Sequence, residues 1–303
     1  MGGNPAVLEA GTISTNVRLT QRDVAPLPLR RQALPRWLRA AFRLASSFAS
    51  PLAARWAERA FLTPPRIPLR PHPALASGHR FHLHASGRKI AVWSWGDGPT
   101  ALLLHGWGGR SEQLVPFVEP LLAAGFSVIA PDAPGHGESS GRQSSIVAFA
   151  DALEAVAARV GPVHAFVGHS GGAAAGAFAL HRGLRVQRAV FLAPVASLAE
   201  VVGRYANHLH IPPWTAEELE RRIEARVGIP MADLEVIRIA RGARTPLLVF
   251  HDPDDREVPW RDGAAIAQAW PGARLVDVPR SGHNRILRDP RVIAQAVSFL
   301  AAR

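Results

Sequence analysis

The residues in this chain whose types and spacing could do covalent chemistry are a serine, a histidine and a set of aspartates. Gly168-His169-Ser170-Gly171-Gly172 is a G-x-S-x-G run between the apolar stretch Val163–Val167 and the small-residue stretch Ala173–Leu180. Strand, sharp turn and helix is the context that lifts a serine Oγ above the end of a sheet, with glycines where helix and strand approach too closely for a Cβ. Leu104-His105-Gly106-Trp107-Gly108-Gly109 is a second glycine-rich loop behind an apolar run. Such a loop can aim backbone N–H groups at a developing oxyanion, here from Trp107 together with Gly171. His105 reads as a brace for that loop. Phe250-His251-Asp252-Pro253-Asp254-Asp255-Arg256-Glu257-Val258-Pro259 offers three aspartates, and spacing alone does not choose among them. Ser281-Gly282-His283-Asn284 supplies a histidine 28 residues after Asp255. The chain order serine, aspartate, histidine is the one expected of a triad on an α/β sheet.

Other chemistries are poorly served. There is no cysteine, which excludes a disulfide framework, a thiolate metal site and a thiol nucleophile. His82 and His84 share one face of a predicted strand, and His208 and His210 are similarly spaced, but neither pair has a convincing third ligand or carboxylate, so no metal site is expected. No G-x-G-x-x-G, P-loop or zinc pattern is present, and no cofactor is implied.

From about residue 79, short apolar runs alternate with helical stretches, the pattern of a βαβ architecture. Strands are predicted at His79–Ala85, Ile90–Trp95, Ala101–His105, Ser127–Pro131, Val163–Val167, Ala189–Ala193, Leu247–Phe250 and Arg274–Val278. The first two alternate polar and apolar around Gly87 and should pair as an antiparallel edge hairpin. The later ones are nearly continuous apolar runs, as parallel strands covered on both faces require. Helices are predicted at roughly 112–124, 144–160, 171–182, 262–269 and 290–302. About 50 residues separate Pro194 from Arg244, too many for a simple crossover. That stretch carries helical patterns over Leu198–His208, Thr215–Val227 and Met231–Arg241 and reads as a helical cap, about 195–244. Tyr205, His208, His210 and Trp214 of the cap, with Trp107 and Trp260, would give an aromatic, partly polar pocket. The expected fold is α/β, a mostly parallel sheet of about eight strands flanked by helices. Residues 1–75 are read as an extension and 76–303 as the main domain.

Of the residues, 48% are apolar and 19% charged, enough for a sizeable core. The net charge of +11 would point to an acidic partner if it were spread evenly. It is not: residues 1–98 hold fourteen basic and four acidic side chains, and the rest of the chain is nearly balanced. Nucleic acid is therefore not an expected partner. Trp37, Ala41, Leu44, Phe48 and Leu52 recur at helical spacing among arginines, so residues 36–62 read as an amphipathic helix interrupted at Pro51. Packing on the domain is favoured over contact with an anionic membrane surface. A proline-rich connector follows from Pro64 to Pro73. The first 35 residues lack a continuous apolar segment, so a cytoplasmic location is expected. The uncharged run from Val160 to His181 is 22 residues long, but its glycines, Pro162 and histidines break it into strand, turn and helix.

From about residue 79 onward the chain resembles the α/β-hydrolase superfamily, in its serine-nucleophile, capped, esterase-like branch. Beyond the serine elbow, Pro131-Asp132-Ala133-Pro134-Gly135-His136-Gly137-Glu138-Ser139 is similar to that family's D-x-P-G-H-G-x-S loop, which is mainly structural there. The family's D-x-x-V-P acid turn falls on Asp255-Arg256-Glu257-Val258-Pro259, which favours Asp255 over Asp252 and Asp254. The resemblance implies a catalytic triad of Ser170, Asp255 and His283, with Trp107 and Gly171 as oxyanion hole. Tyr205, His208, Trp214 and Trp260 are the candidate substrate-binding residues. The implied activity is hydrolysis of a small-molecule carboxylic ester with a small to medium acyl group. Ser170 stands where dehalogenases and epoxide hydrolases of this superfamily place an aspartate. Carbon–carbon bond hydrolases, thioesterases and perhydrolases also use serine and stay open. A non-enzymatic membrane- or nucleic-acid-binding protein using the basic N-terminal segment is the rival from another class.

Overall fold

The computed structural model of the chain describes residues 50–65, 75 and 77–302. The lead over residues 1–35, the first half of the predicted amphipathic helix and nearly all of the proline-rich connector lie outside the described residues. The described residues open with helix α1 (Ser50–Phe61) and the antiparallel hairpin β1 (His79–Ala85) and β2 (Arg88–Trp95). Ser86 and Gly87 form its two-residue turn, both at positive φ, 47° and 71°, as the twist of a tight hairpin demands. Then follow β3 (Thr100–Leu104), α2 (Val118–Ala123), β4 (Ser127–Pro131), α3 (Ile146–Val160), β5 (Val163–His169), α4 (Gly171–His181) and β6 (Arg188–Leu192). After α5 (Leu198–His208), α6 (Pro213–Val227) and α7 (Val236–Ala240), the chain returns through β7 (Leu247–His251), α8 (Trp260–Ala269), β8 (Arg274–Asp277), α9 (Gly282–Arg285) and α10 (Pro290–Ala301).

The strands form one sheet of order β1-β2-β4-β3-β5-β6-β7-β8, parallel from β4 to β8 and antiparallel at the β1, β2 edge. Every residue of β3, β4 and β7 is buried, as expected of apolar runs that face a helical layer on each side. Alternate side chains feed two cores. Leu102 and Leu104 of β3 join α3, α4 and the β6–β7 insertion on one face, while Ala101 and Leu103 join α2 and α10 on the other. Each fully buried leucine or phenylalanine contributes about 1.5–3 kcal/mol.

Two departures from the sequence reading concern helices. The pattern over Met231–Arg241 splits into a 3-10 turn, Met231–Leu234, and the short α7. The histidine loop contains the unpredicted helical turn α9. Helix α4 has no polar face because it needs none. Residues Gly171 to Ala179 are all buried, and a Cβ on Gly176 would lie 2.1 Å from the Phe166 ring, so only small residues let it lie this close to β5.

Helix α1 packs on α6, an arrangement the sequence could not specify. Ala53, Ala54 and Ala57 are buried on its inner face, and α6 turns Leu219 and Ile223 inward. Among the described residues, no helix is long and apolar enough to cross a membrane.

Candidate active site

The loops after β3, β5, β7 and β8 meet at the carboxyl edge of the sheet, where ligands bind in open α/β sheets. Ser170 sits at the tip of the β5–α4 turn with φ 53° and ψ −120°, a strained conformation for a residue with a side chain. Surrounding bonds hold it there. Its N–H donates to the Leu192 carbonyl at 2.9 Å, and its own carbonyl accepts from Ala173 at 3.0 Å. The flanking glycines are steric necessities: a Cβ on Gly168 would lie 2.7 Å from Ala173 Cα, and one on Gly172 2.3 Å from the His105 carbonyl.

Of the three competing aspartates, the geometry singles out Asp255. Its side chain is fully buried, and its Oδ2 faces His283 Nδ1 at 2.8 Å. Its Oδ1 accepts from the N–H groups of Glu257, at 2.7 Å, and Val258, at 3.1 Å. Burial works against the charged form, but hydrogen bonds from His251 and His283 and from the Glu257 N–H outweigh it, holding the carboxyl far below the ordinary aspartate range. Asp254 is exposed. Asp252 is buried and ties two loops together: Oδ1 accepts from the Asp254 N–H at 2.9 Å and Oδ2 from the Gly282 N–H, one residue before His283. With Nδ1–H donated to Asp255, His283 presents Nε2 as its basic nitrogen.

Three neighbours of this pair were not singled out from the sequence. His169, immediately before Ser170, donates Nε2–H to the His283 carbonyl at 3.0 Å, and the two rings stand 4.7 Å apart. His251, fully buried, donates Nε2–H to the Val258 carbonyl at 3.1 Å with Asp255 Oδ2 3.5 Å away. Glu257 brings a half-buried carboxylate within 3.9 Å of His283 Nε2, and burial raises its pKa. The only sequence signal was position: His251 stands four residues before Asp255 at the end of a strand, and His169 beside the elbow serine.

The glycine loop after β3 presses on the elbow from the other side. A Cβ on Gly106 would lie 2.9 Å from Ser170 Cβ, and one on Gly171 would lie 3.7 Å from the Trp107 nitrogen. The N–H groups of Trp107 and Gly171 are thus near neighbours. The loop is braced by two buried imidazoles. His105 Nδ1–H donates to the Gly106 carbonyl at 2.7 Å, and its Nε2 accepts from the Ala133 N–H at 3.0 Å. His136 Nδ1–H donates to the Pro134 carbonyl at 3.0 Å, and its Nε2 accepts from the Gly108 N–H at 3.0 Å. Both roles require neutral rings. Burial lowers the pKa to about 4 for His105 and about 3 for His136. Asp132 anchors the same network by accepting from the N–H groups of Ser111, at 2.8 Å, and Glu138, at 2.7 Å.

The candidate pocket residues are distributed unevenly. Trp107 lies 37% exposed and stacks on Phe149, with ring centroids 6.2 Å apart. Trp214 opens α6 and is 57% exposed. His208 closes α5 and is half-buried. Tyr205 is buried with its ring on Phe61, 5.1 Å between centroids, and its hydroxyl donates to the Ala57 carbonyl at 3.4 Å, so it faces α1. Trp260 is turned to the sheet edge, where its indole N–H donates to Asp277 at 2.6 Å. His82 and His84 are exposed on the edge strand β1.

The chain belongs to the alpha/beta hydrolase family, whose model matches residues 101–296. It is similar to a 2-hydroxy-6-oxo-6-phenylhexa-2,4-dienoate hydrolase from Burkholderia cepacia, 28% identical over 257 aligned positions that cover 68% of this chain and 86% of that one. Among solved structures, its fold is similar to Est1E from Butyrivibrio proteoclasticus, described with bound ferulic acid, at a TM-score of 0.59 and 19% identity, covering 73% of this chain and 97% of that one. An esterase from Rhodococcus sp. ECU1013 superposes at 0.56 with 21% identity, covering 75% and 99%.

Proposed function

We propose that this hydrolase cleaves carboxylic esters of small to medium acyl groups through a triad of Ser170, His283 and Asp255. The carrying observation is the 2.8 Å pairing of His283 Nδ1 with a fully buried Asp255, next to a serine held in a strained elbow. His283 Nε2 takes the Ser170 proton as Oγ bonds to the acyl carbon, and the carbonyl electron pair moves onto oxygen. The N–H groups of Trp107 and Gly171 hold that oxyanion. Collapse breaks the bond to the alkoxy group, which leaves with the proton from His283. Water then repeats the cycle on the acyl-enzyme and returns the acid and free Ser170. Asp255 stays ionised throughout, orienting the imidazole and stabilising its cation. The helices between β6 and β7 act as a cap, and the exposed indoles of Trp214 on the cap and Trp107 on the glycine loop supply apolar surface for the acyl group.

A second reading has its own support. The Burkholderia cepacia relative is named for a compound that carries a ketone and no ester, so its hydrolysis breaks a carbon–carbon bond. The same serine, histidine and oxyanion donors could serve such a substrate.

Fluorophosphonate labelling followed by peptide mass spectrometry tests the mechanism before the substrate is known. Wild type should label at Ser170, Ser170→Ala not at all and His283→Ala far more slowly. A folded wild type that stays unlabelled removes the proposal. A panel of acyl esters, thioesters and 6-oxo-dienoates then separates ester from carbon–carbon cleavage.

A further inference from the structure

Helix α1 and the four residues after it reach both halves of the site. Glu58 is only 3% exposed, yet it carries a carboxylate. Its charge is met from α6: Arg222 Nε lies 2.9 Å from one carboxylate oxygen, and Arg226 approaches the other through Nε at 3.1 Å and Nη2 at 3.0 Å. Beside this clamp, the Tyr205 hydroxyl donates to the Ala57 carbonyl and its ring meets Phe61, so α5 is held as well. The chain then leaves the insertion for the main domain. The Leu62 carbonyl accepts from the Ser144 N–H at 2.8 Å, two residues before Ile146, whose Cδ1 lies 3.3 Å from where a Cβ on Gly171 would stand. Pro65 ends against the glycine loop, its Cγ 2.9 Å from the position of a Cβ on Gly108. Residues 50–65 themselves lie outside the family match, which begins at residue 101.

A buried ion pair is a weak source of net stability but a strict source of geometry, because an unmatched buried charge is strongly disfavoured. Any other seating of α1 on α6 would have to match the Glu58 charge anew. We infer that residues 50–65 form part of the substrate site: a strap, anchored by Glu58, that clamps the β6–β7 insertion to the glycine loop and so limits the size of acyl group reaching Ser170. This rests on the proposed reading of Ser170 as nucleophile. The inner face of α1 is thereby occupied by its own chain.

The test compares full-length wild type with Glu58→Ala in two measurements. Hydrogen exchange read by mass spectrometry should accelerate about tenfold or more in peptides covering α1, α5 and α6, while β3 and β5 stay protected. In parallel, labelling of Ser170 by a dodecyl fluorophosphonate should gain at least about fivefold relative to an ethyl one, since a released insertion admits the longer chain. Should Glu58→Ala fail to fold, Arg226→Ala leaves Arg222 in place and should give the same changes at about threefold. Unchanged exchange in a folded variant overturns the strap, as does faster exchange with an unchanged ratio of the two probes. A wild type that neither probe labels overturns the Ser170 reading, and with it the size-limiting role, whatever exchange shows in the variants.

Discussion

The two flanks of Ser170 solve the same positioning problem with opposite electrostatics. On the β7 and β8 side, a fully buried carboxylate is kept charged by three donors on its two oxygens, with His251 Nε2 3.5 Å away, and the histidine it orients presents its Nε2. On the β3 side, two buried imidazoles must stay uncharged, because the Nε2 of each accepts a backbone N–H. In the proposed mechanism the acid flank manages a proton during turnover. The glycine-loop flank is built never to see one. The proposed mechanism, which develops a negative oxygen on one side and a positive imidazole on the other, calls for this division.

The largest expected effect comes from breaking the acid flank. Ser170→Ala or His283→Ala should lower kcat by about 10⁴-fold or more, and Asp255→Asn by about 10⁴-fold through loss of the correct tautomer. Circular dichroism should stay native-like. Asp252→Ala, which should loosen the loops without touching the reacting atoms, separates positioning from chemistry by a smaller loss.

Acidification should break the other flank first. Its braces His105 and His136 are buried with pKa values lowered to about 4 and 3, and His169, beside His283, is lowered to about 3, against roughly 6.5 in an unfolded chain. Below about pH 6.5 the unfolded state binds protons that the folded state refuses, so stability falls as pH drops toward 4. At pH 5 the loss is about 2 kcal/mol for each histidine, read as a lower urea midpoint than at pH 7.5. Asp255 contributes with the same sign but in a lower pH window. Its folded pKa is depressed, so its contribution is present above the unfolded value near 3.9 and survives this whole range. A midpoint that is flat between pH 7.5 and 5 would refute the neutral-brace reading.

His136→Leu sharpens the comparison by removing one brace and one titrating group together. The Gly108 N–H loses its acceptor, at a cost of about 1–3 kcal/mol, and the pH slope of stability should shrink by one histidine's share. The smallest effect is expected from Trp107→Ala. Its proposed oxyanion donor is a backbone N–H that the substitution keeps, so KM should move a few-fold while kcat changes little.

Much of this was legible in the residues themselves. All eight strands fall where apolar runs and turn residues put them: the inner ones because burial on two faces leaves a continuous apolar trace, the edge hairpin because polar and apolar residues alternate around its Gly87 turn. The elbow was equally readable, since the glycines beside Ser170 have no substitute where backbone meets backbone. Asp255 needed more. Three aspartates within four residues are chemically equivalent as a string, and only the fold shows one of them buried against His283 while another staples two loops.

The supporting residues were the least visible. His169 carries no local pattern because its partner lies 114 residues away in the chain, and His251 meets Val258, seven residues on, only through the path of the loop between them. Tyr205 and Trp260 read as pocket aromatics, yet one faces α1 and the other the sheet edge, since an aromatic ring goes where its neighbours leave room. Glu58 is the extreme case: its arginine partners are 164 and 168 residues distant. The sequence by itself determined the order of strands and helices and the place of the elbow, because those depend on periodicity and on local backbone sterics. Only the tertiary structure decided which aspartate meets the histidine, which histidines must stay neutral and where the N-terminal helix is seated. Those depend on burial and on charges brought together from distant parts of the chain.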